Sequence, residues 1–208
     1  MIKKFESIVF DVDGTLINSN TASLKSLQRT IEIVENKFLE IKELEVVLGL
    51  PDFDAFDVLK IKNKKECYYV WKSLSNKLES QKTIFPEVKD TLYKLKSLNL
   101  NLGVVTSREK SQYYGNLLIM NELNNFFEVV ITSESTIKHK PEPEPLLEWL
   151  KLSNSNPLNT LYIGDTLNDY SCAKQANVSF GLASWGIHQN FETEISFSKP
   201  SQILKLYE

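Results

Sequence analysis

The chain has 208 residues, 24 basic against 27 acidic for a formal net charge of -3, and is 42% hydrophobic and 11% aromatic. That length accommodates one large domain, or a domain carrying an insert, around a sizeable core; seven Gly and seven Pro exclude a collagen-like or low-complexity chain. The even charge balance excludes the basic surplus of a dedicated nucleic-acid binder.

Only Arg29 and Arg108 are arginines, so 22 of the basic residues are lysines. Cys67 and Cys172 are too few and too far apart for a disulfide framework or a zinc cluster. The apolar stretch after Lys3 and Lys4 is ended by Asp11, too short for a signal peptide, and no apolar run approaches the ~20 residues needed to span a bilayer. A cytoplasmic protein with no membrane partner is expected.

In chain order, Ser7 to Phe10 is a short continuous apolar run of the kind found in a buried parallel strand. Residues 20 to 82 then carry helical periodicity almost throughout: Leu24, Leu27, Ile31 and Val34; Phe38, Ile41, Leu44, Val47 and Leu48; Phe53, Phe56 and Leu59; Tyr69, Trp71, Leu74 and Leu78. A further helix is expected from near Pro86, since Pro suits a helix start.

Strand-like runs recur at 102–105, 129–131, 161–163 and 178–182, interleaved with helical patterns at 113–120, 146–152 and 170–176. This alternation predicts an α/β fold with a parallel sheet. The roughly 90 residues between the first two strands exceed any single crossover. An inserted helical subdomain over residues 17–83 is expected, leaving 1–16 and 84–208 as the core domain.

Ligands in such sheets bind beyond the C-terminal strand ends, and four segments there carry chemistry. Asp11-Val12-Asp13-Gly14-Thr15 ends the first strand with two carboxylates on one side and a Gly that permits a sharp turn. Paired acids suit a divalent cation and divergent protonation states, although an ordinary Asp-Gly turn has the same sequence.

Gly164-Asp165-Thr166-Leu167-Asn168-Asp169 again places carboxylates after a strand. Asp165 can ligate a hard cation, with Asp169 holding a water ligand or an ammonium; alternatively Asp165 simply caps the helix. Thr106-Ser107-Arg108 puts two hydroxyls before a helix, as an anion pocket or as plain N-caps. Lys140, before Pro141, offers a point charge stiffened by proline, or a solvated loop lysine.

Taken together these segments resemble the haloacid dehalogenase (HAD) superfamily and its phosphatase branch, over essentially the whole chain. Asp-x-Asp-Gly-Thr matches its first motif, Thr106 the second, Lys140 the third, and Gly164, Asp165 and Asp169 the fourth. The helical insert resembles the C1-type cap of phosphoglycolate phosphatase-like members.

The resemblance implies a Rossmann-like core with helices on both faces, a Mg²⁺ cofactor and a small phosphorylated metabolite as substrate. It implies Asp11 as nucleophile and Asp13 as acid and base. The metal would be held by the Asp11 and Asp165 carboxylates and the Asp13 main-chain carbonyl, with Asp169 in support. Thr106, the Ser107 amide and Lys140 would hold the phosphoryl oxygens.

An acid at Asp13 favours phosphate esters or anhydrides over the dehalogenase and phosphonatase branches, and Thr15 favours hydrolases over sugar-phosphate mutases. A mutase or a catalytically silent phospho-ligand binder remains as an alternative. Two positions depart from relatives, which usually have Gly where this chain has Glu87 and Asn177. Gly49 and Leu50, in a Gly-Pro turn of the insert, are the expected substrate-contacting residues. Trp71, Tyr68 and Tyr69 either stack on a substrate or fill the insert's core. The insert's 11 basic and 10 acidic residues give no charge argument for a polyanion.

Overall fold

Alternation along each strand decides the layers. In β1 (Ser7–Phe10), Ile8 and Phe10 point into one apolar cluster and Val9 into another. The two-residue period is repeated in β4 (Asn101–Val105) and β6 (Thr160–Gly164): Leu102, Val104, Leu161 and Ile163 join Ile8 and Phe10, whereas Val105 and Tyr162 join Val9. Both faces are therefore apolar and both must be covered. The computed structural model describes residues 5–48, 50, 52–78, 82–115, 117–186 and 191–208.

The six-stranded sheet runs β5-β4-β1-β6-β7-β8, with β5 (Val129–Ile131), β7 (Ser179–Ala183) and β8 (Ser196–Phe197), and every pairing is parallel. The register sets Phe10 beside Val104 and Ile163, so the three motif-bearing strand ends finish side by side. One face is covered by α5 (Val88–Ser97) through Val88, Leu92 and Leu95. The other is covered by α8 (Glu144–Ser153) and α9 (Leu167–Gln175), through Leu146, Trp149, Leu150, Cys172 and Ala173. Helices α6 (Lys110–Gly115) and α7 (Leu117–Leu123) follow β4. The chain is an α/β protein with helices on both faces, as its sequence predicts.

Gly103 is required by packing. A Cβ there would lie 1.8 Å from Trp149 Nε1, and Trp149 is fully buried with that nitrogen donating to the Val129 carbonyl at 3.1 Å. The ring has nowhere to retreat, so Gly103→Ala is expected to cost about 3 kcal/mol by overpacking and to lower Tm by roughly 6–12 °C in a chain of this size. A thermal melt within 2 °C or so of wild type would contradict this.

Between β1 and α5 the chain forms α1 (Asn20–Glu35), α2 (Ile41–Leu44) with a 3-10 turn, α3 (Asp52–Val58) and α4 (Lys64–Lys77). Leu24, Leu27, Ile31, Leu44, Val47, Phe56 and Cys67 build an apolar cluster of their own. Both ends of this stretch are tied by an antiparallel ladder of β2 (Ile17–Asn18) and β3 (Thr83–Ile84).

Not every residue of the helical pattern faces inward: Phe38, Phe53 and Tyr69 are exposed. Glu87 and Asn177 both have positive φ, 66° and 57°. Both are left-handed backbone positions, of the kind that favours Gly, occupied here by other residues. Strand β8, only two residues long, has no sequence pattern that announces it. Among the described residues no helix is long and apolar enough to cross a membrane.

Candidate active site

The C-terminal ends of β1, β4 and β6 open into a cavity of about 660 Å³ roofed by the helical insert. Asp11, Asp13, Thr106, Ser107, Lys140 and Leu50 all line it. Asp165 and Asp169 complete the site from within: carboxylate oxygens of Asp11, Asp165 and Asp169 lie within 4.8 Å of one another, and all three residues are buried. Gly49 lies outside the described residues. Tyr68 and Trp71 belong to the insert's core and also reach the cavity wall. They pack on Phe53 and Phe56 at 5.3 and 5.6 Å between ring centroids.

Local chemistry explains the placement. Gly14 turns the chain with φ of 77° and leaves no room for a side chain, since a Cβ would sit 2.0 Å from Asp165 Oδ2. After β6 the helix cap is Thr166, whose side chain accepts from the Asp169 amide at 3.2 Å while Asp169 accepts from the Thr166 amide at 3.1 Å. This reciprocal capping box releases Asp165 from capping duty. Asp165 instead accepts from Thr15 Oγ1 at 3.2 Å and Asn20 Nδ2 at 3.3 Å.

Lys140 is no solvated loop lysine. Its Nζ is buried and donates to Asp11 at 2.8 Å, Asp169 at 2.7 Å and the Tyr162 hydroxyl at 3.2 Å. Burial pulls its pKa down, but Asp11 and Asp169 outweigh burial and hold it above the ordinary lysine value. Burial raises the Asp169 carboxyl in turn, and Lys140 with hydrogen bonds from Lys140, Thr166 and Tyr162 brings it below its usual value.

Asp11 goes the other way: burial pushes it to about 7, opposed by Lys140 and assisted by Asp169. Asp165 rises well above the carboxylate range because it is buried beside Asp169 and Asp11. Burial and mutual repulsion thus favour the protonated forms of Asp11 and Asp165, with the Lys140 ammonium held by Asp11 and Asp169, in a set of hard oxygen donors. Such a donor set fits an oxygen-seeking divalent cation.

Sequence reasoning missed the partner of Asp13. Arg108, buried, donates from Nε and Nη2 to both Asp13 oxygens, each at 2.7 Å, and Ser19 Oγ donates to the same carboxylate. Burial raises the Asp13 carboxyl, but Arg108 overrides it and keeps the group well below its ordinary value. That carboxylate is therefore turned to Arg108 and is absent from the three-carboxylate cluster.

Tyr162 and Asn20 were missed as well. Strand alternation gives Tyr162 an inward-facing side chain, but nothing in sequence says that it faces a lysine. Thr106 Oγ1 accepts from the Arg108 amide at 3.2 Å, and among the described residues the buried Ser107 hydroxyl has no partner.

A parallel α/β sheet whose strand ends gather three buried carboxylates, a buried lysine and a hydroxyl-bearing loop is the arrangement of an α/β enzyme with its site beyond the strand ends. The chain matches the model of the haloacid dehalogenase-like hydrolase family over residues 8–183, and it belongs to that family.

It is 30% identical over 204 residues to a phosphoglycolate phosphatase of Aquifex aeolicus, covering 96% of this chain and 95% of the relative. It is 29% identical over 184 residues to the pyrophosphatase PpaX of Oceanobacillus iheyensis, covering 87% and 84%. A crystal structure of a candidate phosphoglycolate phosphatase from Lactobacillus plantarum superposes with a TM-score of 0.89 at 28% identity, covering 98% and 99%.

Proposed function

We propose that this chain is a Mg²⁺-dependent phosphatase that hydrolyses a small phosphorylated metabolite through a phosphorylated Asp11. The observation that carries this reading is the buried cluster of Asp11, Asp165 and Asp169 around Lys140, opening onto a cavity that also holds Asp13, Thr106 and Ser107. The names of the relatives support a phosphate ester or anhydride as the bond broken.

Mg²⁺ would be held by the carboxylates of Asp11 and Asp165 and the Asp13 carbonyl, with Asp169 supporting, and would supply positive charge between nucleophile and phosphoryl oxygens. The Asp11 carboxylate attacks phosphorus and the bond to the leaving oxygen breaks. Asp13 gives that oxygen a proton, then takes one from the water that attacks phosphorus and regenerates Asp11. Because Arg108 engages both Asp13 oxygens and holds that carboxyl ionised, Asp13 must part from Arg108 and take up a proton from solvent before it can act as the acid. Lys140, Thr106 Oγ1 and the Ser107 amide hold phosphoryl oxygens, where fixed donors act most strongly in a water-poor site.

Residues 17–83 serve as the cap over the site, with Leu50, which lines the cavity, contacting the leaving group. Closure of such a lid excludes water. The test is phosphate release from a panel of phosphorylated metabolites and an aryl phosphate, with Mg²⁺ and with chelator. Release that requires Mg²⁺ is the expected result, and no release from any compound would overturn the proposal.

The carboxyl shifts give a pH-dependent stability. Asp11 and Asp165 have raised folded-state values, so the metal-free native state binds more protons than the unfolded chain. Its stability falls as pH rises from the unfolded value of 3.8 through about 7, because ionisation is disfavoured only in the folded protein. Mg²⁺ is therefore expected to raise Tm more at pH 8 than at pH 5.5. An equal or smaller rise at pH 8, read by thermal melts in matched buffers, would contradict the cluster's role.

A further inference from the structure

Asn20 is the first residue of α1, the opening helix of the insert, yet its side chain belongs to the acidic cluster. It is buried, and Nδ2 donates to Asp165 Oδ2 and to the Gly186 carbonyl, each at 3.3 Å. Both partners are acceptors, which only the nitrogen end of the amide can serve. The space is closed on the remaining side: a Cβ on Gly14 would approach Asn20 Nδ2 to 2.7 Å, and one on Gly186 would approach the Gly14 carbonyl to 1.6 Å. Asn20 Nδ2 is thus held between Asp165, the Gly186 carbonyl and the Gly14 backbone.

We infer that Asn20 is a positioning residue for the cation site, orienting the Asp165 carboxylate and thereby linking cation affinity to the placement of α1. Asp165 has two oxygens. Thr15 Oγ1 occupies Oδ1 at 3.2 Å and Asn20 occupies Oδ2, so these neutral donors together fix the plane of the carboxylate. Donors that orient a ligating group typically change metal affinity 10- to 100-fold when removed. Because Asn20 sits on the insert and Asp165 on the core sheet, the linkage is reciprocal: a cation that favours one Asp165 orientation also favours the α1 position that supports it. The inference rests on Asp165 being a cation ligand, as proposed above.

The test is calorimetric titration of the metal-free full chain with Mg²⁺ alone. Asn20→Ala is expected to weaken binding about 10-fold or more. Ile31→Ala, which disturbs the core of the helical insert without touching the cluster, is expected to stay within about twofold of wild type. Wild-type binding with Asn20→Ala also within twofold overturns the inference and leaves the metal assignment standing, as does Ile31→Ala weakened as much as Asn20→Ala. A wild-type chain that takes up no Mg²⁺ overturns the metal assignment and this inference with it. Amide hydrogen exchange of the unmutated chain provides a second readout should Asn20→Ala fail to fold. Mg²⁺ is expected to slow exchange in the first turn of α1 more than in its last turns, and a uniform or absent response overturns the linkage.

Discussion

Asp11→Asn is expected to lose about four orders of magnitude or more in kcat on every phosphorylated substrate while melting no lower than wild type in chelator at pH 8. The amide keeps the shape of the carboxylate and can still accept from Lys140, which stands 2.8 Å away, but it cannot attack phosphorus. Removal of a nucleophile from a cooperating set of groups costs as much as removing the set. The stability half of the prediction follows from burial. Asp11 titrates near 7, so at pH 8 its charge is held at a cost that the amide does not incur. Steady-state phosphate release and thermal melts measure both halves. Activity within tenfold of wild type would remove Asp11 from the chemistry, and a melting point several degrees lower would show that its charge holds the fold together.

Lys140→Met is expected to lower both stability and turnover. The ammonium is the shared partner of Asp11 and Asp169, which are 5% and 0% exposed. Deleting one member of a buried ion cluster strands the rest and typically costs about 3–5 kcal/mol, or a Tm loss of roughly 6–20 °C at this chain length. The thioether retains the volume, so cavity formation is not the cause.

A double variant Lys140→Met with Asp169→Asn separates the two effects. Removing a stranded carboxylate is expected to recover much of the lost stability, since contacting residues couple strongly, but none of the lost kcat. Urea unfolding with parallel kinetics checks this. Additive losses in stability would mean that Lys140 does not act through Asp169.

How far the sequence was legible follows from what kind of information each feature needs. The strand runs ending at Asp11, Val105 and Gly164 could be read because parallel strands buried on both faces are continuously apolar. Their parallel register then brings together residues 150 positions apart, such as Thr15 and Asp165. The helical pattern of residues 20–82 was equally plain, though periodicity overcounted its inward face at Phe38, Phe53 and Tyr69. Roles set by pairing were not legible. Thr166, not Asp165, caps α9, because the choice between two adjacent capping-competent residues is made by backbone geometry.

Arg108 could have been suspected, since it is one of two arginines in a lysine-rich chain and follows the Thr106-Ser107 pair. Its bidentate grip on Asp13, 95 positions away, required the fold. Asn20 carried no signal at all, because nothing in sequence distinguishes it from an ordinary first-turn residue.

The central claim is that Asp11 becomes phosphorylated during turnover. The most direct measurement is acid quenching of the wild-type enzyme with Mg²⁺ and a hydrolysed substrate in the first turnover, followed by peptide mass spectrometry. The account predicts a peptide spanning Asp11 heavier by one phosphoryl group, present with Mg²⁺ and lost in Asp11→Asn. Rapid turnover by wild-type enzyme with phosphate found on another residue, or turnover that persists in Asp11→Asn, would contradict it.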